Sequence, residues 1–194
     1  VITVNVLTGS SVHGVIPELA NLRIAVFREY PYLYEGSVEY EQKYLKRYAE
    51  SEQCIVVVVR DGDNIVGAST GMPLSDEASE VVDPIRKAGH QIKEWFYLAE
   101  SVLLPEYRGR RLGHRFFEER IIHAVDYGYK KACFCAVVRP DDHPMKPSNY
   151  LSLAPLWNRH GFQKADGIET TFSWREIGEQ YETEKTMAYW VREL

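Results

Sequence analysis

The sequence predicts an α/β domain of α+β character, with a mixed central sheet flanked by helices. Three observations predict it. Short apolar or alternating runs recur at 3–7, 53–59, 65–74, 95–104, 131–138, 168–176 and 186–193, with the length and period of strands. Between them, apolar residues fall at 3–4 spacing around 19–26, 38–48, 116–125 and 152–160, the period of amphipathic helices. Helices and a hairpin come first, and strand then alternates with helix, an order that calls for parallel and antiparallel neighbours in one sheet.

The elements follow in order. Residues 3 to 7 alternate as a strand. Pro17 suits a first helical turn, and Leu19, Leu22, Ala25 and Val26 form that helix's apolar face. Pro31 and Gly36 interrupt helix, so 27–36 is an irregular stretch dense in aromatics. A second helix takes 38–48, with Tyr40, Tyr44 and Tyr48 four apart. Asp61-Gly62-Asp63-Asn64 turns one strand into the next. The polar excursion 75–89 is helical from 77 to 87 and disturbed at Pro84. Pro105 stops the strand 95–104, because it has no N–H for the ladder. A basic loop, 108–113, opens a helix with Phe116, Phe117, Ile121, Ala124 and Val125 inward, and Gly128 caps it. After the strand 131–138 comes a loop with three prolines. A short helix at 152–160 has Pro155 in its first turn and ends at Gly161-Phe162 in Schellman style. Two strands joined by the acidic link 178–185 close the chain.

The 194 residues fit one domain, 1–194. The net charge of −5 disfavours general nucleic-acid binding, while arginines at 108, 110, 111 and 115 form a local patch suited to a small anion. No apolar run approaches the ~20 residues of a membrane span. The alternating first residues read as strand and not as a targeting leader. Three cysteines make no disulfide framework, and Cys133 and Cys135 share a strand face as core residues. Six histidines form no ligand set, so no metal is expected. The expectation is a cytoplasmic protein.

The stretch from Glu100 to Tyr127 carries the chemistry. A strand, a glycine-containing loop and a helix start together make an anion site. The first helical N–H groups have no partner in their own helix. The helix dipole adds partial positive charge, and glycine lets a ligand approach the backbone. A diphosphate is the natural guest. The loop contains neither Gly-Lys-Ser/Thr nor G-x-G-x-x-G. A basic surface turn is the plain alternative.

The run Val-Leu-Leu-Pro-Glu-Tyr-Arg-Gly-Arg-Arg-Leu-Gly, 102–113, resembles the acetyl-CoA loop of the GNAT family of N-acetyltransferases, Q/R-x-x-G-x-G/A after a strand. Arg108 takes the Q/R position and Gly113 the G/A position. Arg111 stands where the family has its middle glycine, which puts the local backbone angle in question. The order of elements resembles the family along nearly the whole chain. The resemblance implies a mostly antiparallel sheet with two neighbouring strands, ending near Leu104 and Val138, that splay to admit the thioester arm. It implies direct acetyl transfer from acetyl-CoA to a primary amine in a ternary complex, with the acceptor open and a small cationic amine one option.

Such a reaction must deprotonate the amine, stabilise the carbonyl oxygen, accommodate the thiolate and align both substrates. The resemblance implies that Glu100 manages the amine's proton. Val102 and Leu103 lie at the strand end, where the Leu103 N–H faces the acetyl carbonyl. Backbone amides from Gly109 through His114, including Leu112 and Gly113, would hold the diphosphate, and Arg108, Arg110 and Arg111 would add charge. Trp157 replaces the tyrosine that commonly protonates the thiolate, and an indole cannot act as an acid. Tyr150 is the nearest substitute, ahead of Tyr181 and Tyr189, and Asn149 is close to the family's asparagine. Tyr32, Tyr34 and Glu35 would line the acceptor pocket. The expected partners are a small-molecule or peptide amine, with no nucleic acid and no membrane, and a homodimer is an open option. Two rivals stay open: an acyl-CoA-binding sensor without turnover, and a nucleic-acid-associated protein using the arginine cluster.

Overall fold

A computed structural model describes residues 1–194. Twelve main elements follow the chain: β1 (Ile2–Leu7), α1 (Ile16–Phe27), α2 (Val38–Glu50), β2 (Ile55–Asp61), β3 (Asn64–Pro73), α3 (Ser79–Lys87), β4 (Trp95–Leu103), α4 (Leu112–Asp126), β5 (Lys131–Val137), α5 (Ala154–Arg159), β6 (Gln163–Trp174) and β7 (Thr183–Glu193). The strands form one seven-stranded sheet in the order β1-β2-β3-β4-β5-β7-β6. Every neighbouring pair is antiparallel except β4 and β5. This is the mixed α/β sheet that the sequence predicts, mostly antiparallel as the resemblance to the GNAT family implies.

Helices cover both faces. Leu19, Leu22, Leu45 and Tyr48 pack α1 and α2 onto Val56, Val58 and Met72. On the opposite face, Phe116, Phe117 and Ala124 of α4 pack onto Val57, Phe96 and Phe134, with Leu156 and Trp157 of α5 at the margin. Val81, Val82 and Ile85 seat α3 against Cys133, Cys135 and Tyr189. All three cysteines are free and buried. Both expected glycine caps form. Tyr129 N–H donates to Ala124 O at 3.0 Å around Gly128, and Phe162 N–H donates to Trp157 O at 3.0 Å around Gly161.

Several element ends shift by two residues or so, among them the starts of β2, α3 and α5, and three departures from the sequence reading have a visible cause or a larger size. β6 begins at Gln163 and not at 168, because a register shift between Lys164 and Glu169 hides the alternation. Gly167, at φ 72°, lies inside that break. β7 begins three residues early, at Thr183. α3 runs straight through Pro84. The Glu80 carbonyl, which proline's missing N–H leaves free, accepts the Thr170 hydroxyl at 2.6 Å.

Candidate active site

The site starts from a defect in the sheet. β4 and β5 pair only where Trp95–Tyr97 meets Lys131–Cys133, and beyond that the two strands part. Leu104 N–H donates to Val66 O at 3.0 Å. Alternation along an antiparallel ladder then turns the Leu103 N–H away from β3 and into the gap. A bulge helps to shape the same strand. Ser69 pairs with Ser101 and Gly71 with Leu98, so Thr70 alone opposes Ala99 and Glu100. The extra residue shifts the side-chain alternation. Glu100 and Val102 therefore point to the α1–α2 face, and Ser101 and Leu103 to the α4 face.

The loop after β4 supplies donors. Gly109 and Arg111 both adopt left-handed backbone, at φ 75° and 64°. Arginine thus takes the conformation that glycine holds without strain, and the question raised at position 111 is answered. The N–H groups of residues 109 to 113 make no hydrogen bond within the protein. The free run ends one residue short of the expected 109–114, because the His114 amide donates to Arg111 O at 3.1 Å. Residues 108–114 include no carboxylate to oppose an anion. Arg111 is exposed at the helix start, and Arg110 is held by Glu106 O at 3.0 Å beside the Tyr107 ring.

Arg108 plays a different part from its neighbours. Its Nε donates to Leu103 O at 3.1 Å and its Nη1 pairs with Glu29 at 2.9 Å. Its amide donates to Pro105 O. Arg108 therefore braces the strand end against the segment just after α1, which engages two of its guanidinium's five N–H groups. The His114 ring meets His160 at 2.9 Å, and His160 stacks on Phe117 at 4.7 Å, which ties α4 to α5. Burial and the neighbouring His114 lower the His160 pKa. A Cβ at Gly113 would meet Leu156 Cδ2 at 3.5 Å, an ordinary contact with α5.

Glu100 sits in a cluster that the sequence reading missed. It is 9% exposed. Its Oε1 faces Arg23 of α1, and its Oε2 accepts the Tyr44 hydroxyl at 3.2 Å. Arg23 Nη1 and Glu100 Oε1 form an ion pair whose N–H direction misses the oxygen. Arg23 Nε pairs with Glu41, which is fully buried and also accepts the Tyr34 hydroxyl at 2.8 Å. Burial alone would lower the Arg23 pKa, but Glu100, Tyr44 and Glu41 outweigh it and hold the guanidinium well above its ordinary value. From the other face, buried Arg120 donates to the Glu100 and Thr70 carbonyls at 3.1 Å and to Ser101 Oγ at 2.8 Å. It thereby satisfies oxygens around the bulge. Burial pulls Arg120 down to about 9, with Glu100 pushing back. A sequence signal existed for each. Arg23, Glu41 and Arg120 all fall within the apolar stripes of their helices, one turn from Leu19, Leu45 and Phe116.

The remaining predicted residues are placed as follows. Val102 is core. Tyr150 lies edge-on to Tyr30 at 4.8 Å in the loop after β5, and burial, then Tyr30, raises its hydroxyl pKa. Asn149 is exposed in the turn before it. Trp157 packs edge-on against Phe134 at 5.1 Å and Trp190 at 4.8 Å. Tyr32 rests on Phe27 and Trp174. Burial, then Cys135, pushes its hydroxyl up to about 12. Tyr34 bridges to Glu176, and Glu35 pairs with Arg175 at 3.7 Å, so both fasten the 27–36 stretch to the end of β6. Two clefts of about 560 and 750 Å³ lie elsewhere, and neither touches residues 98–114. Free amides and parted strands, more than cavity size, mark the site. No group of three or more His, Cys, Asp or Glu side chains is placed to hold a metal ion. No helix is long and apolar enough to cross a membrane.

Comparison with known proteins agrees with this geometry. The sequence profile of the acetyltransferase (GNAT) family matches residues 18–147, from α1 through the loop after β5. Ribosomal-protein-alanine N-acetyltransferase from Brucella melitensis superposes with a TM-score of 0.64 at 11% identity, over 99% of both chains. An acetyltransferase of the GNAT family from Streptococcus pneumoniae superposes at 0.62 and 14% identity, over 100% of both. The polyamine N-acetyltransferase of Drosophila melanogaster does so at 0.59 and 14% identity, over 99% of this chain and 100% of its own. Identities this low show a shared fold. No curated protein matches the chain by sequence.

Proposed function

This chain belongs to the acetyltransferase (GNAT) family, and we propose that it moves an acetyl group from acetyl-CoA to a primary amine, directly, with both substrates bound together. The observation that carries this reading is the run of unpartnered amides at 109–113, set at a helix start beside the gap between β4 and β5. Backbone N–H groups converging at a helix N-terminus suit a diphosphate. Exposed Arg111, and Arg110 next to it, add positive charge. Acetyl-CoA supplies a thioester, whose thiol leaves readily (pKa ~8.5 by analogy with Cys).

The chain's own residues would take the rest. The Leu103 N–H, turned into the gap, is the donor for a carbonyl oxygen that gains charge. Glu100, on the α1–α2 side of the same strand, receives the amine's proton directly or through water. Tyr150 holds its proton at neutral pH and is the candidate donor to the thiolate. The aromatic stretch with Tyr32, Tyr34 and Glu35 walls the acceptor side, and a cationic amine is the class we favour.

One observation favours the rival reading, an acyl-CoA binder without turnover. Both Glu100 oxygens are engaged, by Arg23 and by Tyr44. Thermal unfolding with acetyl-CoA, followed by thiol release across a panel of primary amines, separates the two. A melting shift with amine-dependent thiol release supports the transferase. A shift without release from small amines or peptides favours the binder. No shift at concentrations far above micromolar would remove the diphosphate site.

A further inference from the structure

We infer that Glu100, Tyr44, Tyr48 and Glu77 form a proton relay that carries the acceptor amine's proton from the site to the far side of α2. This rests on the reading above, in which Glu100 receives that proton. Four oxygens lie in a row. Glu100 Oε2 is 3.2 Å from the Tyr44 hydroxyl, which is 2.8 Å from the Tyr48 hydroxyl, which is 3.2 Å from Glu77 Oε1. Tyr44 and Tyr48 stand one helical turn apart, so α2 by itself sets the middle link. The two ends are fixed independently. The β4 bulge turns Glu100 inward, and Glu77 is held by Arg47 at 3.1 Å and by the Ala78 amide at 3.1 Å.

A count of hydrogens shows why this row can conduct. Three contacts need three hydrogens, and two hydroxyls supply two. The third must sit on a carboxyl at one end. With the proton on Glu100, each hydroxyl points towards Glu77. With the proton on Glu77, each points towards Glu100. Passing between the two arrangements breaks one O–H bond at Glu100, Tyr44 and Tyr48, and forms one at Tyr44, Tyr48 and Glu77. Three protons each shift by one place, and the net result is one proton transferred from Glu100 to Glu77.

The surrounding charges set the direction. Two buried guanidiniums, Arg23 from α1 and Arg120 from α4, flank Glu100, and Arg23 is shared with Glu41 from α2. Glu77 has one cation, Arg47, which is partly exposed. Burial raises the Glu77 pKa, and Arg47 only partly offsets it. Tyr97, Cys133, Cys135 and Tyr189 lie near enough to feel the Glu77 charge, and burial pushes all four up, so they stay neutral. Glu77 is therefore the better resting place for a shared proton. Arg47 and Asp76, its partner and its chain neighbour, both line the polar cleft of about 560 Å³, so Glu77 can release its proton to water there, and it must do so before the row takes the amine's proton at Glu100.

The test compares wild-type protein with Tyr48→Phe, which removes one hydroxyl and two links while keeping the ring. The expected result is a kcat at pH 7 lower by about a hundredfold, the lower end of general-base effects. The KM for acetyl-CoA stays unchanged, and the deficit closes as pH rises towards the amine's own pKa. Lost packing would lower the rate at every pH and would not move the profile. A wild-type pH–rate profile in Tyr48→Phe overturns the relay. A second readout needs no turnover. Infrared spectra at neutral pH should contain a protonated-carboxyl band that Glu77→Gln removes, and the absence of that band also overturns the relay. If wild-type protein releases no thiol with any amine, the transferase reading fails separately, and the infrared band still decides whether the row holds a shared proton.

Discussion

Replacing Arg23 by methionine should cost about 3–5 kcal/mol of stability at pH 8, the usual consequence of leaving buried charge unpaired. Glu41 is fully buried and Glu100 is 9% exposed, and both pair with this one guanidinium. Methionine keeps the length of the stem and loses the guanidinium, which lies over the Phe27 and Tyr44 rings at 5.1 and 4.4 Å, so the loss is mainly electrostatic. At roughly 2–4 °C per kcal/mol for a chain of this size, the melting point should fall by about 6–20 °C. The sign of the pH dependence follows from the same charges. Without its cation, a buried carboxyl binds a proton more tightly folded than unfolded, where its pKa is about 4.3. The penalty is absent below that value and grows as pH rises through the folded pKa. Urea unfolding at pH 8 and pH 5 should therefore show a larger deficit at pH 8. Adding Glu41→Leu to Arg23→Met should recover part of it. A deficit under about 1 kcal/mol, well short of the range for a broken buried pair, or one equal at both pH values, would refute this account of the cluster.

Arg111→Gly should hold or raise stability by about 1 kcal/mol, since glycine takes φ 64° without strain. Calorimetry should find acetyl-CoA affinity reduced less than tenfold if the loop's grip lies mainly in its amides. Trp157→Tyr should lower the melting point, because the indole fills space between Phe134 and Trp190, while leaving the rate of thiol release unchanged. A large gain in rate would mean that a proton donor had been missing. The His160 pKa is lowered in the fold, by burial and then His114, so protonation favours unfolding. Its contribution is present above the unfolded value, near 6.5, and is lost as pH falls through the folded one. His160→Gln should flatten that acid-side loss in a denaturant series from pH 7.5 to 5.

The fold was legible because periodicity and punctuation agree along the chain. Pro105, Gly128 and Gly161 each end an element where the sequence says they should. β6 was misread at its start because the break around Gly167 spoils the alternation. The cofactor loop was legible from its glycines and its place between strand and helix. The Arg23, Glu41 and Arg120 cluster was not, because nothing in spacing alone says that a charge on a helix is buried. Each falls in an apolar stripe, and that coincidence is a signal only when a partner on another element can be named. Arg23 and Glu41 belong to adjacent helices, and Glu100 lies 59 residues beyond Glu41. Only the β4 bulge, invisible in the sequence, turns Glu100 towards them.

The three-rung seam between β4 and β5 has a mechanical consequence. The sheet consists of two panels, β1 to β4 and β5 to β6, whose backbones are stitched together at one end only. Along the open end the edges are joined by side chains, with Phe117 reaching Phe134 from α4 at 6.1 Å. A guest lying in that opening with amides of its own would act as a removable eighth strand. Its departure would loosen the join between the panels before either panel loosened within itself. Amide exchange should then report occupancy most strongly at Ser101, Leu103 and Val137, along the margins of the opening, and hardly at all in the β2–β3 hairpin.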